Sequence, residues 1–196
     1  MKNQLRPIFT LFLFLTIITG VVYPLLVTGF SQVLLPFQAN GSLIEHEDKP
    51  TGSKLIGQNF TDPQYFWGRP SATSGTPYNA FDRASLTGSS GSNLGPLSQS
   101  LFDIVKGRVE LFHSADPDNG SLLPVDLVTA SASGLDPHIS VDAAYYQVHR
   151  VALARQLSVE EVTALVNQYI EKRQFGLLGE PRVNVFMLNL ALDGIK

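Results

Sequence analysis

Apolar positions fall into two regimes along this chain. From Ile8 to Phe30 they form one run, IFTLFLFLTIITGVVYPLLVTGF, of 23 residues without a charge. As a helix it reaches about 34 Å, enough to cross a hydrocarbon core of about 30 Å. The pattern predicts a membrane helix over 8–35. A cleaved leader would share the basic start at Lys2 and Arg6, but the run is too long for one, and no small-x-small cleavage site follows it. Within the run, Thr16, Gly20, Pro24 and Thr28 recur every four residues and share one ridge. Small residues admit a neighbouring helix closely, and threonine hydroxyls can bond across such a contact. Pro24 lacks a backbone donor and predicts a bend in the outer third of the span.

Beyond the span the pattern breaks up. Residues 36–50 read as a polar juxtamembrane linker. From Thr51 to Gly95 the chain is rich in Gly, Ser, Pro and Asn, the composition of loops and short strands. There the aromatics Phe60, Tyr65, Phe66, Trp67 and Tyr78 are the candidates for buried area. Further on, Leu97, Leu101, Ile104, Val105, Leu111 and Phe112 keep helical spacing through about His113. Pro124 to Thr129 alternates and reads as a strand. Ser140 can cap a helix with Val141, Ala144, Tyr145, Val148 and Val151 facing inward. Ser158 and Glu161 form a capping box for another, with Val159, Val162, Leu165, Val166 and Tyr169 inward. Val183 to Leu192 reads as a final strand. The mixed order gives an α+β class: one transmembrane helix, then one mixed α/β domain over 51–196.

Charge sets the expected topology. All 17 acidic residues, and all but two of the 14 basic ones, lie at or beyond Glu45; the two exceptions are Lys2 and Arg6. The positive-inside rule then puts residues 1–7 in the cytoplasm and the domain outside. The acidic balance and the lack of a basic patch argue against nucleic-acid binding. Cysteine is absent, which excludes disulfides, thiolate nucleophiles and cysteine-rich zinc sites.

Candidate chemistry is sparse. Gly88 to Gly95, GSSGSNLG, has the look of a phosphate-binding loop but lacks the Lys-Ser/Thr of a P-loop and reads better as a turn before a helix. Ser131, Ser133 and Asp136 lie in VTASASGLDPHIS close to His138, without a nucleophile-elbow pattern. The four histidines, His46, His113, His138 and His149, show no metal-ligand spacing. Asn40, Asn59 and Asn119 head glycosylation sequons, which matter only in a eukaryotic secretory pathway.

A set of ordered blocks carries a family resemblance. They are Leu5-Arg6-Pro7, Tyr23-Pro24-Leu25-Leu26, Gln38 to Ile44, Leu55 to Gln58, Gly68 to Ala72, Gly91 to Leu94, Val128 to Asp136, His138 to Ser140, and Leu188 to Asp193. Through them the chain resembles the KdpC family, the C subunit of the bacterial potassium-transporting P-type ATPase. Val141 and His149 depart from prolines expected in that family, and Phe81 to Thr87 looks like a small insertion.

The resemblance implies a bacterial inner-membrane protein with a single pass. Its implied partners are a channel-like potassium-binding subunit, an ATP-hydrolysing subunit and a small single-helix subunit. It implies an accessory role in assembly and coupling, without catalysis by this chain alone and with ATP used by the complex rather than held here as a cofactor. It also implies an alternative, a catalytic chaperone that raises the ATP affinity of the hydrolysing subunit, with Ser131, Ser133, Gly134 and Asp136 as its nucleotide-related segment. A domain outside the membrane could act on cytoplasmic ATP only indirectly, by biasing a partner's conformation. A membrane-anchored hydrolase using Ser131 or Ser133 is the remote reading.

Overall fold

The computed structural model describes residues 2–194, with side chains from Gln4 onward, as two compact units divided between Ser53 and Lys54. The side chain of Lys2, one of the two cations behind the topology reading, lies outside the described residues, as do positions 1, 195 and 196.

The first unit is dominated by one helical rod, α1 (Lys2–Ile17), a π-turn (Ile18–Val22) and α2 (Tyr23–Leu34). Its stretch Gln4–Leu34, 31 residues, is long and apolar enough to cross a membrane. Where the sequence pattern predicts a bend in the outer third at Pro24, the structure shows a π-turn just ahead of that residue, nearer the middle of the rod. Pro24 stands in the first turn of α2, and just ahead of it the Tyr23 N–H reaches back five residues to the Ile18 carbonyl. The residues read as a plain linker carry structure of their own. A short helix, α3 (Pro36–Ala39), is followed by strands β1 (Leu43–His46) and β2 (Lys49–Ser53). They form an antiparallel hairpin whose two turn residues, Glu47 and Asp48, both have positive φ. That is the backbone of the primed turns that match strand twist.

The second unit is built around a three-stranded antiparallel sheet flanked by helices. Its first half is mostly loop, with a two-residue-strand hairpin, β3 (Phe81–Asp82) and β4 (Thr87–Gly88), before helix α4 (Gln99–Ala115). Then come β5 (His138–Ser140), α5 (Val141–Arg155), α6 (Val159–Gln168), β6 (Ile170–Glu171), β7 (Arg182–Asn184) and α7 (Val185–Leu192). The sheet order is β5-β7-β6, with Ile139 opposite Val183 and Val183 opposite Ile170. Phe66, Trp67, Phe112, Val151, Val166 and Leu188 are among the residues that close the core.

Both sequence-read caps form. Ser140 Oγ accepts from the Ala143 amide, and Ser158 and Glu161 make the reciprocal capping box. The inward faces shift slightly. Tyr145 lies at the surface, its hydroxyl donating to Asn167 Oδ1 at 2.6 Å, and Tyr146 takes the buried place. Val159 is also largely exposed.

Two expected strands differ. Pro124 to Thr129 contains a 3-10 turn, Val125–Leu127, because the Thr129 amide and hydroxyl both fold back onto the Val125 carbonyl. Val183 to Leu192 is strand only through Asn184, whose side chain accepts the Met187 amide and starts α7. A short, largely apolar run carries no clear period that separates a buried strand from a buried helix.

An unusual device holds the loop-rich half. Phe66 and Trp67 are buried yet belong to no strand. Gln147 on α5 accepts the Trp67 amide at 2.8 Å and donates to its carbonyl at 3.1 Å. Asn189 on α7 does the same for Phe66, at 2.9 Å each way. Two side-chain amides thus replace a neighbouring strand and leave no buried backbone polar group of this pair unmet. Arg150 lies over the Trp67 ring, 4.0 Å from its centroid, and donates to the Pro63 and Tyr65 carbonyls; burial lowers its pKa to about 10.

Candidate functional site

The segment from Thr129 to His138 is a chain of self-closing turns. Ser131 Oγ accepts the Gly134 amide at 2.9 Å, Ser133 Oγ accepts the Leu135 amide at 3.1 Å, and Asp136 Oδ1 accepts the His138 amide at 3.0 Å. Such short-range bonds are what Ser and Asp side chains offer a turning backbone. Gly134 is required where it stands. Its φ is +67°, and a Cβ there would come within 2.6 Å of the Ser90 carbonyl oxygen and 2.8 Å of a Thr73 methyl.

Three segments far apart in sequence meet at this turn. The Ser71 hydroxyl donates to the Gly134 carbonyl at 2.6 Å. The Ser90 amide and the Ser89 hydroxyl both donate to the Ser133 carbonyl at 2.9 Å. The Gly57 amide donates to the Leu135 carbonyl, also at 2.9 Å. Gly57, Gly91 and Gly134 lie where the strands of loop approach too closely for a side chain. Tyr78 packs against Gly57 and Gly68, and its hydroxyl donates to the Arg69 carbonyl at 2.6 Å; burial pushes its pKa up to about 12.

Arg69 is the residue that sequence reasoning left without a role. Its guanidinium donates to the Ala130 carbonyl at 3.2 Å and to Asp136 Oδ2 at 3.3 Å, with a longer contact to Thr129. The available signal was its position between Gly68 and Pro70 in one of the ordered blocks. From Asp136 the charges continue in a line. His138 Nδ1 lies 3.4 Å from Asp136, His138 Nε2 lies 3.4 Å from Glu171, and Lys54 and Arg182 each lie 3.2 Å from Glu171. Burial pushes the Asp136 carboxyl up, but His138 and Arg69 outweigh it and hold it below the usual carboxylate range. Burial opposes ionisation of Glu171 as well, and Lys54, His138 and Arg182 outweigh it.

The structure therefore brings Ser131, Ser133, Gly134 and Asp136 into one turn, with their polar groups directed to the turn's own backbone and to Arg69. Ser131 is only 5% exposed. Both ring nitrogens of His138 face carboxylates. Among the described residues no three His, Asp or Glu side chains are grouped to hold a metal. In the structure this arrangement fastens four loops to the edge of the sheet.

Thr16, Gly20, Pro24 and Thr28 lie in the other unit, on the apolar rod. A Cβ at Gly20 would meet nothing within 4 Å. Thr10 and Thr19 return their hydroxyls to the carbonyls of Arg6 and Leu15, whereas Thr16 and Thr28 make no such bond.

One apolar helix long enough to span a bilayer, joined to a mixed α/β unit fastened by an internal polar turn, is the architecture of a single-pass membrane protein. Comparison with known proteins gives the particular family. Residues 5–194 match the family model described as "KdpC: K+-transporting ATPase, c chain", and the chain belongs to that family. It is 60% identical to the potassium-transporting ATPase KdpC subunit of Dechloromonas aromatica over 196 residues, covering all of both chains. It is also 60% identical to the KdpC subunit of Polaromonas naphthalenivorans, covering all of this chain and 97% of that one. The KdpC subunit of Methylococcus capsulatus is 57% identical, again with both chains fully covered. A place in a potassium-transporting ATPase complex follows from membership.

Proposed function

We propose that this chain is the accessory subunit that stabilises a high-affinity, ATP-driven potassium uptake complex and couples hydrolysis to transport. Its anchor helix packs beside the membrane subunits and its α/β unit lies on the extracytoplasmic side of the bacterial inner membrane. The observation that carries this reading is the full-length family match together with the 31-residue apolar helix. The ridge of Thr16, Gly20, Pro24 and Thr28 supports helix packing, since Gly20 has open space beside it and two threonine hydroxyls are uncommitted. The partners are the channel-like, ATP-hydrolysing and single-helix subunits of the complex.

The internal use of Ser131, Ser133, Gly134 and Asp136 favours a bracing role for that turn over nucleotide contact. An influence on ATP affinity then acts through a partner's conformation. The test is to purify the complex in mild detergent from cells with and without this chain. Loss of the intact assembly and of potassium-stimulated ATP hydrolysis is expected; a complete, fully active complex lacking the chain would overturn the reading. Labelled ATP should show no saturable binding to the purified chain, and saturable binding lost in Ser133→Ala would restore the nucleotide alternative. Protease added to right-side-out spheroplasts should remove the α/β unit, and its survival there would reverse the orientation.

A further inference from the structure

The connection between β6 and β7 ends in an apolar tip. Phe175, Leu177 and Leu178 are 86%, 79% and 60% exposed, clustered within four residues of a tight turn. The backbone is built to present them. Phe175 itself has a φ of +54°, uncommon for a bulky side chain, and Gly176 and Gly179 are left-handed as well. The turn is closed from within: Gln174 and Leu178 exchange amide and carbonyl at 2.9 Å in both directions, and the Gly176 and Leu177 amides donate to the Arg173 and Gln174 carbonyls. No side chain between Gln174 and Glu180 offers a hydrogen bond. At the base stand Lys172, Arg173 and Arg182, with Arg173 paired to Glu180 and Arg182 to Glu171. Cations outnumber acids here, in a chain whose acids exceed its cations beyond the anchor.

We propose that residues 174–179 are an interfacial wedge that inserts Phe175, Leu177 and Leu178 between phospholipid headgroups, with Lys172 beside the anionic phosphates. This rests on the reading of the N-terminal helix as a membrane anchor, which tethers the α/β unit to a bilayer. A lipid surface fits better than a protein partner for two reasons. The base carries three cations, Lys172, Arg173 and Arg182, against two acids, Glu171 and Glu180, a balance that suits an anionic headgroup layer. The apex also offers apolar area and no side chain that would fix a partner's orientation by hydrogen bonds.

The chain has no cysteine, so a single one can be placed and labelled cleanly. A nitroxide at Leu177→Cys, in the full chain in nanodiscs of phosphatidylethanolamine and phosphatidylglycerol, is compared with one at Leu153→Cys, a 73% exposed position on α5. The ratio of collisions with oxygen to collisions with a water-soluble nickel chelate should be several-fold higher at 177 than at 153. Equal ratios would overturn the wedge. So would a label open to nickel in nanodiscs and shielded from both reagents only when the other subunits are added, the signature of a protein contact. Failure of the chain to enter nanodiscs would refute the anchor, and the wedge with it, and is read separately by size exclusion.

Discussion

Gly134 has a neighbour on every side where a methyl group would stand. Gly134→Ala forces a left-handed alanine against the Ser90 carbonyl and is expected to cost about 2 kcal/mol or more, seen as a lowered melting temperature of the full chain in detergent. Asp136 and Glu171 give the same region a pH signature. Their folded-state pKa values lie below the ordinary 3.8 and 4.5, so the stability they contribute is complete above those values and drains away as the pH falls through the lower ones. Asp136→Asn should be less stable than the parent at pH 7 by about 1 kcal/mol or less, both carboxylates being partly in water, and the gap should narrow as the pH is lowered below 3.8. A gap that widens in acid would contradict this. The turn-forming character of Ser131, Ser133 and Asp136 was legible in their residue types. The clamp at Arg69 was not, because its partners lie 60 or more positions away.

Helices with a polar cap announced themselves: Ser140 and the Ser158–Glu161 box stand where the structure starts α5 and α6. Largely apolar segments were more ambiguous, and α7 was read as strand because the run from Val183 alternates at its start. The anchor shows a subtler effect. Residues four apart on an α-helix advance by about 40° per step, so a small-residue ridge slowly winds off its face. The π-turn at Ile18–Val22 inserts a wider turn between Thr16 and Pro24 and takes back part of that drift. Gly20→Leu fills space that is open within the chain, so it should leave the α/β unit's melting unchanged while reducing recovery of the other subunits in mild detergent severalfold. Undiminished recovery would remove the ridge as a contact.

At the scale of the whole molecule, the family blocks between Leu55 and Asp136 prove to be pieces of one junction. Their separate compositions spelled loops correctly, but nothing local in Gly57, Ser71 or Ser90 says that all three bond the same turn. The amide braces on Phe66 and Trp67 were equally invisible, since a buried Gln or Asn on a helix announces no partner. Asn189→Leu keeps the branched heavy-atom shape but strands the Phe66 amide and carbonyl, and should cost about 3 kcal/mol in chemical denaturation of the chain. A change within error would show that the brace is dispensable.

Those braces also impose a schedule. The ribosome delivers Trp67 80 positions before Gln147 and Phe66 123 positions before Asn189. Contacts of such long range form slowly, after the intervening chain has been closed into a loop. Until then an aromatic pair destined for the interior stands open to proteases and to neighbouring nascent chains. The newborn subunit is therefore at its most vulnerable late in its own synthesis, and a chaperone that shelters the 54–98 loops during that interval would do more for its yield than any stabilisation of the finished fold.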